Sequence, residues 1–285
     1  MADADCVAFL RWALPRLGLR WPGFRKVHGQ VCKRLKRRMK ELGLDGFTTY
    51  RQQLAADPDE WTVLDAMCHI TISRFFRDRG VFEALGELVL PEIAARAARE
   101  QREARFWSAG CASGEEPYTL KIIRDLAVAS DFPNVECSVI ATDVDEVMLE
   151  RARKGCYPKG SLRELPKAFI TEAFDRVDNL FCIRPRHRTG VSFALQDLRT
   201  EAPNGSFDLI LCRSVAFTYF EVPLQRQALN RLVEHLAVTG YLVIGAHERL
   251  PEKLDNLVPL PGVSQILRLI ATSEPHRSAS ATPLP

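Results

Sequence analysis

The densest chemistry in the chain lies between Phe106 and Tyr118. It runs Phe106-Trp107-Ser108-Ala109, then Gly110-Cys111-Ala112-Ser113-Gly114, then Glu115-Glu116-Pro117-Tyr118. The first four residues read as a short buried strand, the next five as a small-residue turn, and the rest as a helix that starts near a proline. A strand, glycine turn and helix at the head of an α/β unit is the usual seat of a nucleotide-like cofactor, because glycine lets a ligand touch backbone. The two carboxylates decide which one. A helix N-terminus attracts anions, so a phosphate site would not put Glu115 and Glu116 where the phosphate must sit. A cofactor with a positive amino group and no phosphate tolerates them. S-adenosylmethionine meets that description; NAD, ATP and GTP do not. The plain alternative is a helix start whose acids only complement the helix dipole.

The same run is similar to the "SxGCSTGEEPYS" motif of the CheR-type chemoreceptor methyltransferases, which use S-adenosylmethionine to esterify glutamate side chains. The resemblance extends from about Phe24 to about Ala271 and rests on several separate motifs. Thr71-Ile72-Ser73-Arg74-Phe75-Phe76-Arg77-Asp78 resembles "NxTxFFR", with Thr71 at the Asn position, Ser73 at the Thr position and Arg77 at the Arg position. Phe207-Asp208-Leu209-Ile210-Leu211-Cys212-Arg213-Ser214 resembles "FDxIxCRN", with Ser214 in place of Asn. The next stretch, Val215-Ala216-Phe217-Thr218-Tyr219-Phe220, is one residue longer than the family's "VxIYF", and Tyr219 aligns with its tyrosine. Gly245-Ala246-His247-Glu248 stands where chemoreceptor enzymes have "GHSE".

The resemblance implies a set of roles. Thr71, Ser73, Arg77, Gly110, Glu116, Asp143, Asp197, Leu198, Arg213 and Ser214 are expected at the cofactor, and Arg77 and Tyr219 at the reaction centre. Asp143 follows an apolar strand, where an open parallel sheet presents its ligand crevice. A carboxylate there accepts both hydrogen bonds of a ribose diol, or it caps the next helix. It lies about thirty residues beyond the glycine turn, more than the ~20 usual in dinucleotide folds. Asp197 is either an acceptor for the adenine amino group or a solvated loop acid. Arg77 has the clearest physical role, since a guanidinium stays charged and grips a carboxylate with two parallel hydrogen bonds.

Methyl transfer to a carboxylate asks little of acid–base machinery. Glutamate is ionised at neutral pH, so no base need activate it. What remains is approach in line and exclusion of water, positioning that is worth about 7–11 kcal/mol in favourable cases. The sequence agrees: no Ser-His or metal-ligand spacing appears, and the six histidines are scattered. No metal is expected.

The elements that must position these groups fall into two blocks. Val27, Val31, Leu35, Met39 and Leu42 fall on one helix face, with Gly43 ending the helix. Phe47, Tyr50 and Leu54 begin a second stripe, and a further helix is expected from about Pro58 to Ile72, with Asp57 as N-cap. From Phe106 strands alternate with helices: Cys137–Thr142, Phe207–Cys212 and Tyr241–Gly245 as strands, and Gln225–Leu236 as a helix. That alternation implies a doubly wound parallel sheet. A small hairpin set into it is expected within Arg184–Leu195 or, on wider bounds, from about Asp175 to Val191. The expected fold is therefore α/β, a class I S-adenosylmethionine methyltransferase with an N-terminal all-helical domain (1–80), a linker helix region (81–104), the cofactor domain (105–272) and a disordered tail (273–285).

Net charge is only +3, but no Asp or Glu occurs between Cys6 and Lys40 while Arg and Lys recur. This basic helix is a solvated face, a nucleic-acid surface without the aromatic interleaving that would support it, or a docking face. In the family the equivalent helix docks on an acidic helical region of the acceptor, and Arg34, Arg37 and Arg38 match its "RLxRR" core. An acidic helical protein substrate is the expected partner, with no nucleic acid and no membrane insertion. Eight scattered cysteines with no CxxC pair read as free thiols in a reducing, cytoplasmic setting without structural zinc. An organelle transit peptide is the weaker reading of the basic start. The alternatives to glutamate methylation are the same chemistry on another protein or small-molecule acceptor, and a non-catalytic cofactor-binding signalling module.

Overall fold

The computed structural model describes residues 3–271, so the tail expected to be disordered lies outside the described residues. The chain opens with five helices: α1 (Asp3–Ala13), α2 (Trp21–Phe24), α3 (His28–Glu41), α4 (Phe47–Ala56) and α5 (Asp59–Cys68). The predicted stripe on α3 is real, with Val31, Leu35 and Met39 buried, and each such burial is worth about 1.5–3 kcal/mol. Gly43 ends α3 at φ +68°. There the Leu44 amide donates to the Met39 carbonyl and the Gly43 amide to that of Lys40, the paired closure that a left-handed glycine allows. Helix α5 stops four residues short of Ile72, because His69 turns extended. That break lets the segment 69–77 cross the mouth of the sheet instead of continuing a helix.

Helices α6 (Arg79–Ala84) and α7 (Leu90–Arg99) lead into β1 (Ala104–Ala109), α8 (Glu115–Ile123), β2 (Cys137–Asp143) and α9 (Glu146–Lys154). An excursion follows: β3 (Cys156–Pro158), α10 (Lys167–Ala173), β4 (Phe174–Val177) and β5 (Leu180–Ile183). The chain closes with β6 (Val191–Leu195), β7 (Phe207–Cys212), α11 (Ala216–Tyr219), α12 (Val222–Glu234), β8 (Leu236–Ile244), β9 (Leu257–Leu260) and β10 (Val263–Leu269). The main sheet has seven strands in the order β6-β2-β1-β7-β8-β10-β9. Neighbours from β6 through β8 run parallel, and β10 is antiparallel to both β8 and β9. The order reverses between β1 and β7, the point at which a doubly wound sheet opens its ligand crevice. This is the class I methyltransferase arrangement.

The expected hairpin is displaced. Residues 184–195 do not form one; β6 is instead the edge strand of the main sheet, paired in parallel with β2. The small antiparallel sheet is β3-β5-β4, and its β4–β5 hairpin lies in the first part of the wider bounds, 175–191. The basic and β-forming composition of 184–195 signalled a strand but not its partner, and a partner 50 residues away leaves no local trace.

Alternate residues of the parallel strands face opposite sides of the sheet. Trp107, Ile210 and Leu242 join one apolar core with Phe9, Phe24, Leu35 and Tyr50 of the N-terminal helices. Phe106, Leu209 and Val243 join the other, with α6, α7, α8 and the small sheet. The helical region thus shares a continuous core with one face of the sheet.

Four cysteines depart from the sequence reading. Cys6 is bonded to Cys32, tying α1 to α3, and Cys156 to Cys182, across β3 and β5. Cys68, Cys111, Cys137 and Cys212 are free thiols. Both bonded pairs are 26 residues apart in sequence, and only tertiary folding brings them together. The cysteine pattern therefore no longer argues for a reducing compartment. No helix of the described residues is long and apolar enough to cross a membrane.

Candidate active site

A pocket opens at the C-terminal ends of β1, β2 and β7. It is lined by the glycine turn, Asp143, the segment 68–77, residues 196–199, the stretch 213–215 and Tyr219. Thr71, Ser73, Arg77, Gly110, Glu116, Asp143, Asp197, Leu198, Arg213, Ser214 and Tyr219 all contribute to its wall. The structure brings the sequence-predicted cofactor and reaction-centre residues to one place.

The turn is held by β2. The amides of Gly110 and Cys111 both donate to the Thr142 carbonyl, at 2.8 and 3.0 Å. Gly110 sits at φ +77°, and a Cβ there would overlap the Val215 side chain, so no other residue fits. One Asp143 oxygen accepts from the Ala112 amide at 2.7 Å and the other from the Asp145 amide at 3.0 Å. The cap of α9 is Asp145, which accepts from the Met148 amide at 3.2 Å, so Asp143 does not take the capping role, and each of its carboxylate oxygens keeps a lone pair for a ligand. Burial raises the Asp143 pKa, and the two amides pull it back.

The two glutamates of the turn separate. Glu115 points into the protein, where burial raises its pKa against hydrogen bonds from Ser113 and Ser73. Ser73 thereby links the segment 69–77 to the start of α8. Glu116 faces the pocket, accepts from Ser108 Oγ at 2.7 Å and pairs with Arg213 at 2.9 Å. Arg213 also donates to Asp78 Oδ2 at 2.6 Å and to the Arg77 carbonyl at 2.7 Å. Its terminal nitrogens are spent on the protein, so its direct service is to join α8, β7 and the Arg77 segment.

That segment is strained. Phe76 (φ +59°) and Asp78 (φ +63°) both lie in the left-handed region, which is rare for an aromatic residue. The conformation is held by the Phe76 amide on Thr119 Oγ1, by Phe76 stacked on Phe82, and by Arg213. The result presents Arg77 between two fixed residues. Its guanidinium donates to the Ile72 carbonyl at 3.1 Å and has no carboxylate within ion-pair distance among the described residues. Tyr219 stands near it: burial raises the phenol pKa, and the Arg77 charge opposes that rise.

At the far end, Asp197 is less free than expected. Its carboxylate accepts from Arg199 Nε at 3.0 and 2.8 Å, and Arg199 reaches on to Asp65 at 3.0 and 2.6 Å. Gln196 beside it has a buried Oε1 with no hydrogen-bond partner among the described residues. Sequence reading missed Gln196, Arg199 and Asp65, for which no motif gives a signal. It also passed over Glu248, which accepts from the Ser214 amide at 2.9 Å, the Gly245 amide at 2.6 Å and Thr218 Oγ1 at 2.6 Å. The signal existed: the Gly245–Glu248 turn differs from "GHSE" but keeps its glutamate.

The three docking arginines do not act alike. Arg34 donates to the Met67 and His69 carbonyls, closing the end of α5. Arg38 grips the nearly buried Glu60 at 3.0 and 2.6 Å, where the Tyr50 hydroxyl also donates. Only Arg37 is largely exposed, at 76%. The outward basic face of α3 is Lys33, Lys36, Arg37 and Lys40.

The lining suits S-adenosylmethionine. Glycine at the turn allows close approach, Asp143 offers acceptors for a diol, Gln196 has an unpaired buried acceptor in the wall, and three of the four wall arginines, Arg74, Arg199 and Arg213, are already paired with carboxylates. Comparison with known proteins agrees. Residues 71–263 match the family described as CheR methyltransferase, SAM binding domain. A probable chemotaxis protein methyltransferase of Rhizobium etli is 33% identical over 230 residues, 77% of this chain and 84% of that one. The chemotaxis protein methyltransferase of Salmonella typhimurium is 33% identical over 226 residues, 76% of this chain and 75% of that one. An uncharacterized 104.1 kDa protein of Rhodobacter capsulatus is also 33% identical over 230 residues, but the chain spans only 24% of its length. With pocket, sheet order and motifs in agreement, the chain belongs to the CheR methyltransferase family and uses S-adenosylmethionine as its cofactor.

Proposed function

We propose that this chain methylates glutamate carboxylates of a protein acceptor and that Arg77 aims the acceptor carboxylate; the relatives named chemotaxis protein methyltransferases support a methyltransferase reading. The observation that carries this reading is a pocket guanidinium, beside Tyr219, with no acidic partner of its own. Bound in the pocket, the cofactor supplies a methyl group on a sulfonium, which a carboxylate oxygen takes with no proton transfer. Asp143 and Gln196 are assigned to hold the ribose and adenine ends. Glu116, with Ser108 and Arg213, fixes the wall nearest the turn. Leu19, Phe24 and Tyr219 supply apolar cover that keeps water away from the transfer.

The outward face of α3 is the proposed docking surface for an acidic helical region, giving orientation and on-rate more than affinity. Arg37 is its central arginine; Arg34 and Arg38 support it from within. Incubating the chain and labelled S-adenosylmethionine with a cell extract tests the reading. Label on protein that mild base releases as methanol supports it. Label confined to small molecules, or base-stable label on protein, overturns it.

A further inference from the structure

The residues that finish the tyrosine loop come from the opposite end of the chain. Helix α11 is a single turn, so the carbonyls of its last residues have no partners within it. Arg20 takes three of them. Its Nε donates to the Thr218 carbonyl at 3.1 Å, its Nη2 to the Phe217 carbonyl, and its own amide to the Tyr219 carbonyl at 2.8 Å. No carboxylate lies within ion-pair distance of Arg20 among the described residues, so its charge is directed at this helix end, where a cation is favoured. The contact continues on both sides. Leu19 bridges Phe220, and the Glu221 amide donates to the Gly18 carbonyl at 2.8 Å. The Phe24 ring lies 5.1 Å from that of Tyr219. A Cβ at Gly23 would collide with the Thr218 carbonyl oxygen, so only glycine lets the two segments approach this closely.

We propose that Arg20 is a positioning residue for methyl transfer: it fixes the backbone that carries Tyr219, making the segment 18–24 part of the active site. The effect on transfer rests on the reading of Tyr219 as a reaction-centre residue; the effect on the loop does not.

Hydrogen exchange followed by mass spectrometry on the full chain tests the loop directly. Arg20→Ala should speed exchange about tenfold in the peptide covering 215–221 while β1 and β2 keep their protection. Arg20→Lys should give a smaller change, since an ammonium cannot span two carbonyls as the planar fork does. It also keeps the charge, so it serves if the alanine variant folds poorly. In the labelled-extract assay at saturating cofactor, Arg20→Ala should slow transfer by about tenfold, leave S-adenosylhomocysteine affinity unchanged, and have little effect when Tyr219→Phe is already present. Unchanged exchange in 215–221, or losses from Arg20→Ala and Tyr219→Phe that simply multiply, would overturn the proposal. If the wild-type chain labels no protein, the carboxyl-methylation reading falls, and the exchange result alone decides the role of Arg20.

Discussion

The turn from Gly110 to Gly114 and the stretch from Arg213 to Phe220 line the same pocket, yet the chain secures them by different means. The turn is held by its nearest strand, through Thr142 and Asp143, within one β-α-β unit. The second stretch is held from three distant places: Glu116 and Asp78 on Arg213, Glu248 on Ser214 and Thr218, and Arg20 on the end of α11. A cofactor common to many reactions is served by a local device. The stretch that carries Tyr219, assigned under the proposed function to the acceptor side, is assembled from remote parts, and each part is then a place where specificity can change.

Arg213 joins the two halves, so removing it should have the largest effect. Arg213→Ala leaves Glu116 and Asp78 without their cation, and breaking a buried pair in this way costs about 3–5 kcal/mol. Denaturant unfolding should show that loss, and cofactor binding and methyl transfer should fall together. A change below about 1 kcal/mol would mean the halves are independently held.

Asp143→Ala should divide them. S-adenosylhomocysteine binding should weaken by about 1.5–3 kcal/mol, the range for hydrogen bonds to a charged group. The 215–221 stretch should keep its exchange protection. Calorimetry with unchanged affinity would place the ribose elsewhere.

Asp65 ties the helical region to the Asp197 end of the pocket through Arg199, and it gives a pH signature. Burial favours its protonated form, but His69 and Arg199 win, and its pKa drops to about 2. In the unfolded chain it is about 3.9. A depressed carboxylate stabilises the fold above its unfolded pKa and loses that contribution as pH falls through the folded value. Between pH 4 and pH 2 the chain should therefore lose about 2 kcal/mol from this group. Asp65→Asn should remove that part of the acid dependence; identical acid profiles would refute it.

The smallest expected effect concerns Ser214, held at φ +58°. Asn tolerates the left-handed region better than Ser. Ser214→Asn should raise stability by about 0.5–1 kcal/mol in urea titration, provided the Glu248 contact to the residue 214 amide survives. A destabilised variant would show that the hydroxyl has a role of its own.

The sequence displayed the cofactor half because that half is contiguous. Glycine, acid and proline in order report a turn and a helix start, and Asp143 announces itself at a strand end. It displayed Arg77 and Tyr219 through motif positions, but not the left-handed residues that flank Arg77 or the arginine that anchors Tyr219. Arg20 lies in a basic run where nothing distinguishes it from Arg25 or Lys26. Its value comes from a partner nearly 200 residues away. The same blindness hid the Cys6–Cys32 bond and turned β6 into an imagined hairpin. Arg34 and Arg38 match the "RLxRR" core of a docking helix, and neither motif nor charge reveals that a guanidinium is already bound to Met67, His69 or Glu60.

The role of Arg77 carries the functional reading, and one paired measurement addresses it. Methyl-transfer rate and S-adenosylhomocysteine affinity are compared for the wild type, Arg77→Ala and Arg77→Lys. Transfer by Arg77→Ala should fall about a hundredfold, with partial recovery in Arg77→Lys, while affinity stays within about twofold. A parallel loss of affinity would mean that Arg77 grips the cofactor's own carboxylate, and full transfer by Arg77→Ala would mean that it aims no carboxylate at all.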